Sequence, residues 1–196
     1  MKIIVSMILA LTLALGLCGA LAAPVTLPAY VYPGDDPILA AVTHYMVDVD
    51  QRFQPDDGGV LVPAPIVLKT EMNENETEAT VYGNFWIFGY VLDGKVLKCT
   101  CGGENPGVMK LAKGEDGAWT VVSMESAEEG DTFVSSIRAL AHGDEALFEQ
   151  YRIASDGDAG YLPQYRRAFL IDYIVSNGLD IEAYQDYGWD PVSLIN

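Results

Sequence analysis

Cys99 and Cys101 are the residues whose type and spacing most directly suggest chemistry in this chain. In a β-strand, residues two apart point to the same face, which would set the two sulfurs side by side. In an oxidising compartment such a pair can close a disulfide, although a bridge across one intervening residue is strained and therefore easily reduced. As free thiols they can form a nucleophilic pair with a histidine, and His44 and His142 are the only two. Packed beside Leu97 as two small hydrophobes, they need no chemistry at all. No second cysteine pair and no His-x-x-x-His accompanies them, so the sequence supplies no zinc site, and neither a metal nor a cofactor is expected.

Acidic pairs are frequent: Asp35 with Asp36, Asp48 with Asp50, Asp56 with Asp57, Glu128 with Glu129, and Asp156 with Asp158. The stretch from Asp156 to Gly160 begins like a calcium loop. Its glycine falls at the fifth position, however, and Arg167 stands at the twelfth, where a bidentate glutamate is required. Solvated loops and helix caps account for these acids. Gly-rich phosphate loops, Gly-x-Ser-x-Gly and His-Glu-x-x-His are all absent from the sequence. What remains is an aromatic face, Tyr82, Asn84, Trp86, Phe88 and Tyr90, which reads either as plain core or as the wall of a ligand pocket. The pocket candidates are His44, Tyr45, Tyr82, Asn84, Trp86 and Tyr90.

These residues are positioned by an α+β set of elements. Residues 23–36 read as an extended, proline-containing lead-in to one domain over 37–196. Asp36 suits a helix N-cap with Pro37 in the first turn, and Ile38, Val42, Tyr45, Met46, Val49 and Phe53 form a helical stripe. Val60 to Lys69 predicts a strand, but Pro63 and Pro65 confine it to an edge or a bulged ladder. Ala79 to Leu92 alternates with period two, placing the aromatic set on one face and Val81, Gly83, Phe85, Ile87, Gly89 and Val91 on the other. Asp93 and Gly94 signal a hairpin into Lys95 to Cys101; strands at Val108 to Ala112 and Trp119 to Glu125 complete a curved antiparallel meander. Beyond residue 130 the chain turns helical: Asp131 caps a helix with Val134, Ile137, Leu140 and Ala141 inward, and further helices cover Glu145 to Ile153 and Pro163 to Asn177. The tail, with Tyr184, Tyr187, Trp189 and Leu194, is too aromatic to hang free.

Lys2, the apolar run Ile3 to Leu17 and the small residues Gly19 to Ala23 follow the order of a secretory signal peptide, with cleavage expected after Ala22. An uncleaved anchor and lipid attachment at Cys18 are the alternatives; Leu17 stands where a lipobox has a small residue. No later apolar run is long enough to span a membrane. The chain carries 28 acidic against 11 basic residues, a formal charge of −17. Such a surface repels nucleic-acid backbones and anionic lipid headgroups, leaving small ligands or extracytoplasmic proteins as partners.

The stretch Val81 to Glu125 resembles the sheet of the NTF2-like (ketosteroid isomerase-like) cone fold, above all at Asp116, Gly117, Ala118, Trp119, Thr120, Val121 and Val122, a turn followed by a tryptophan strand. The helix-and-meander layout is also similar to that of small secreted proteins of Gram-positive bacteria. The resemblance implies a curved sheet with a cavity; family members include isomerases and dehydratases with an acid/base residue inside the cone, and others that only bind or assemble. No aspartate or histidine here falls in a recognisable motif of the family, so no catalytic residue carries over. Two readings follow. The preferred one is a non-catalytic extracytoplasmic module that binds a ligand or a protein. The other is a small isomerase, hydrolase or thiol enzyme using His44 with Cys99, Cys101 or a tyrosine.

Overall fold

The computed structural model describes residues 26–50, 52–157 and 160–195. The signal-peptide reading of residues 1–22, Cys18 with it, lies outside the described residues, as does Asp158 of the loop acids.

Helix α1 (Pro37–His44) starts where its cap requires: the Asp36 Oδ1 accepts from the backbone N–H groups of Ile38 and Leu39 at 2.9 and 3.1 Å. It then widens into a π-helical turn, Tyr45–Val49, closed by the Asp50 N–H on the Tyr45 carbonyl. The wider turn shifts the helical register. Val42 and Met46 stay buried, but Val49 swings out to 56 % exposure, and the apolar stripe ends before Phe53.

β1 (Val60–Met72) pairs antiparallel with β2 (Glu78–Asp93), from Val60 opposite Tyr90 to Met72 opposite Ala79, with a bulge between Val67 and Lys69. It is an edge strand, since among the described residues it pairs with β2 alone. Two prolines at alternate positions direct their missing donors to the same side, and an open edge tolerates this.

The rest of the sheet is not a simple meander. β3 (Val96–Gly103) and β4 (Pro106–Lys113) do not pair with each other; both pair with the far side of β2, β4 against Glu78 to Asn84 and β3 against Ile87 to Asp93. Length explains the arrangement, because β2 has 16 residues and two strands of 8 fit end to end along it. The sheet therefore forks. β5 (Trp119–Ser126) continues the β4 arm, while β6 (Ala183–Gln185), parallel to β3, and β7 (Val192–Ser193) continue the other. Among the described residues the result is a curved, unclosed sheet of seven strands.

α2 (Phe133–Leu140) follows a short 3-10 turn at Gly130–Thr132 that contains Asp131, and no side chain caps it. Because the helix begins at Phe133, the inward positions are Phe133, Ile137, Leu140 and Ala141, and Val134 is exposed. α3 (Glu145–Ala154) is capped by Asp144, whose Oδ1 accepts from Ala146 and Leu147. α4 (Leu162–Ser176) packs against β1, on the sheet face that also carries Phe88 and Tyr90 of β2.

The two faces of β2 thus fill three clusters, Tyr82 of the aromatic face joining Ile137, Leu140 and Tyr151 of α2 and α3. Phe88 and Tyr90 pack with Leu170 and Tyr173 of α4, whereas Val81, Phe85 and Ile87 pack with Ala41, Val42 and Met46 under α1. Each large side chain fully buried in these layers contributes about 1.5–3 kcal/mol. The tail packs back through buried Tyr184 and Leu194, and Arg167 donates to the carbonyls of Ser193 and Leu194. Tyr187 and Trp189, in contrast, stay exposed at 97 % and 75 %. Among the described residues, no helix is long and apolar enough to cross a membrane.

Candidate functional site

The cysteine pair is separated by a β-bulge. In the β2–β3 register Gly89 faces Cys101 and Tyr90 faces Cys99, so Thr100 is an extra residue with no partner opposite it. Paired residues share a face, and Gly89 and Tyr90 point to opposite faces. Cys99 consequently packs into the α4 core and Cys101 into the α1 core, and both are free thiols. The Cys99 thiol is directed at the Cys101 carbonyl at 3.4 Å, and the Cys101 thiol at the Gln54 carbonyl at 3.3 Å. Gly89 makes room for the arrangement: a Cβ there would meet the Cys101 sulfur at 2.5 Å. Burial pushes the Cys99 thiol up to about 11, which keeps it protonated and poorly nucleophilic near neutrality.

His44 sits exposed on α1, its Nδ1 2.7 Å from the Asp48 carboxylate one turn on, beside a hollow of about 170 Å³. Tyr45 is half-buried on the α1 core. Cys99 borders a different hollow, of about 280 Å³, together with Thr100, Gln185 and Asp186. The structure therefore does not bring the histidine and the thiol to a common cavity.

On the aromatic face, Tyr82 is buried and its hydroxyl donates to Glu71 at 3.2 Å. The Trp86 indole N–H donates to the Ala154 carbonyl at 3.0 Å, and its ring stacks on Phe88 with centroids 5.9 Å apart. Tyr90 is wholly buried and accepts from Arg166 Nε at 2.7 Å. The sequence reading overlooked Arg166. Its guanidinium, buried beneath the tail, makes two parallel bonds to the Asp186 carboxylate, at 2.7 and 2.8 Å, and stacks on Phe88 and Tyr184 at 4.0 and 4.4 Å. Burial alone would lower its pKa, but Asp186 and Tyr90 outweigh that and hold it above the ordinary arginine value. Arg166 is an internal clamp that fastens the C-terminal tail to α4 and β2.

No family model, curated protein or solved structure matches this chain. A functional reading therefore has to come from its own geometry.

Asn84 leads to a cleft at the junction of β3 and β4. It is fully buried where β4 leaves β2, and it spends its whole side chain on neighbours. The two N–H groups of Nδ2 are shared among three acceptors, Glu104 Oε2 at 2.7 Å, the Ser155 hydroxyl at 3.0 Å and the Ala154 carbonyl at 3.1 Å; Oδ1 accepts from the Asn105 N–H at 3.1 Å. With Phe85 N–H on the Asn105 carbonyl, these bonds fix the turn at Glu104 and Asn105 between β3 and β4. That turn walls a cleft of about 700 Å³ in the fork of the sheet, a volume within the range of small-molecule sites. Phe53, Phe133, Glu128, Glu129 and Arg52 also line it.

Local structure explains why these side chains hold their places. The Ala127 N–H bonds the Pro106 carbonyl at 2.7 Å, and the Glu128 N–H bonds the Ser136 hydroxyl of α2 at 3.0 Å, so the acidic loop is tied on both sides. Gly103 is where the Phe53 ring rests, because a Cβ there would stand 2.9 Å from it. The sequence offered two partial signals for this cleft, the pair Glu128 and Glu129 and the glycines from Gly102 to Gly107. Neither indicated that they meet.

Proposed function

We propose that the protein is a non-catalytic binding module acting outside the cytoplasm, which takes a small ligand or a partner's side chain in the cleft at the fork of the sheet. One observation carries this reading: a fully buried asparagine is committed to holding Glu104 and Asn105 in the wall of a cleft of about 700 Å³. Fixing polar groups in advance lowers the ordering cost of binding. The extracytoplasmic setting is supported by the order of residues from Lys2 to Ala23, and kinship with the NTF2-like fold by the turn and strand from Asp116 to Val122. The enzyme alternative has less support in its thiol form, since His44 and Cys99 border separate hollows; in its tyrosine form, His44 shares its hollow with Tyr30 and Tyr32.

The test is a thermal-shift screen of the chain against small metabolites and short peptides, repeated with Asn84→Ala and Glu104→Gln. Ligands that bind the native state raise its melting temperature, and the two substitutions should abolish that rise. A ligand whose stabilisation is indifferent to both would place the binding site elsewhere and end this reading.

A further inference from the structure

We infer that Asn75 is an acceptor for an N-linked glycan. Asn75, Glu76 and Thr77 form an Asn-x-Thr triplet with no proline at its centre, and no other asparagine in the sequence is followed two positions on by serine or threonine. The inference rests on the export half of the reading above, because the donor, a lipid-linked oligosaccharide, faces the secretory side of the membrane.

A triplet of this kind carries a glycan in the folded protein only where it lies on the surface, and the structure puts it there. It forms the turn between β1 and β2, and every residue from 71 to 78 is exposed. The turn divides its work between two asparagines. Asn73 holds it closed: Oδ1 accepts from the N–H groups of Thr77 and Glu78 at 2.9 and 3.1 Å, Nδ2 donates to the Thr77 hydroxyl at 3.0 Å, and the carbonyl accepts from the Glu76 N–H at 3.0 Å. Asn75 takes no part in these bonds, so a sugar on its Nδ2 breaks none of them. Asn84 and Asn105, by contrast, are buried in the sheet.

The location also protects the sheet. Asn75 follows closely on the end of β1, whose outer edge is unpaired among the described residues and whose last residue, Met72, is 47 % exposed. An open edge invites pairing with another chain, and a bulky hydrated group at its end obstructs that approach. The cleft stays clear, since the path along β2 from Glu78 to Asn84 is roughly 20 Å at the usual rise of a strand.

The transfer is a displacement at the anomeric carbon of the donor. A bond forms from that carbon to Asn75 Nδ2 while its bond to the lipid pyrophosphate breaks. The amide gives up one proton, the lipid pyrophosphate leaves with the electron pair, and nothing is oxidised or reduced.

The experiment is expression of the full chain in a eukaryotic secretory host, once with its own leader and once with a general cleavable leader in place of residues 1–22. Glycans are read by gel mobility before and after peptide N-glycosidase, which leaves aspartate at the acceptor position, and by peptide mass spectrometry. The exported chain should carry one glycan, on Asn75. Asn75→Gln should abolish it and, because that side chain holds no part of the turn, keep the urea midpoint of the parent; Thr77→Ser, which preserves the triplet, should retain it. A chain that leaves the cell without a glycan under the general leader, or one that keeps its glycan in Asn75→Gln, overturns the inference alone. If its own leader holds the chain inside the cell, the export reading fails and takes the inference with it.

Discussion

Replacing Asp186 by alanine removes the carboxylate that faces the buried Arg166. Losing one partner of a fully buried pair costs about 3–5 kcal/mol, because the other charge is left without compensation. Here the cost is smaller. The Asp186 side chain is 41 % exposed, so water can reach the vacated position, and Arg166 keeps the Tyr90 hydroxyl and the faces of Phe88 and Tyr184. The expected loss is about 2–3 kcal/mol, or roughly 4–12 °C in Tm for a chain of this size. Arg166→Met leaves Asp186 free to hydrate and orphans only the Tyr90 hydroxyl, for about 1–2 kcal/mol. The double variant should cost no more than Arg166→Met alone, since without the guanidinium nothing buried is left charged. Urea unfolding of the parent, the two single variants and the double variant measures this cycle. If the double variant loses the sum of the two single losses, Arg166 and Asp186 act independently and the clamp reasoning is wrong.

Asn84→Ala should lose about 2–3 kcal/mol in urea unfolding by orphaning the Asn105 N–H and the groups around Ala154, and a loss under 0.5 kcal/mol would contradict the bonds described. Gly89→Ala should destabilise by about 1–3 kcal/mol, and adding Cys101→Ala should recover part of that, because the new methyl group collides with the Cys101 sulfur. Iodoacetamide labelling of Cys99 in a Cys101→Ser background should accelerate only toward pH 11; an inflection below 9 would show that the thiol is not held up by burial. Burial likewise raises Tyr30, Tyr90, Tyr151 and Tyr173, the last to about 12. In each case the folded state keeps a proton that the unfolded chain gives up from about pH 9 for the thiol and 10 for the phenols. Stability is therefore full below pH 9 and falls as pH rises above it, and a urea midpoint that stays level to pH 11 would refute this.

The elements that the sequence disclosed are those fixed by neighbours along the chain. Asp36 before Pro37 marks a helix start locally, and the alternation from Val81 to Tyr90 separates two buried faces whatever packs on them. Pro63 and Pro65 forecast the edge strand for the same reason. The misplaced features depend on partners distant in sequence. The inserted Thr100 is invisible until β3 is laid against β2, and two-residue spacing then misleads about which faces Cys99 and Cys101 occupy. The π-helical turn shows no marker in Tyr45 to Val49. The cleft joins residues near 53, 104, 128 and 133, which share no motif, and Asn84 was picked out only as one polar group among aromatics. Arg166 looks like any surface arginine of an amphipathic helix until Asp186 arrives from the tail.

The fork in the sheet also has a consequence for how the molecule folds and opens. β2 is the shared member of both arms, so the β4–β5 hairpin and the β3–β6–β7 arm each need it, and neither needs the other. The two arms should form and fray as separate cooperative units around a common spine. The amide protons of β2 should then exchange slowest, and a ligand lodged in the fork would join the two units into one.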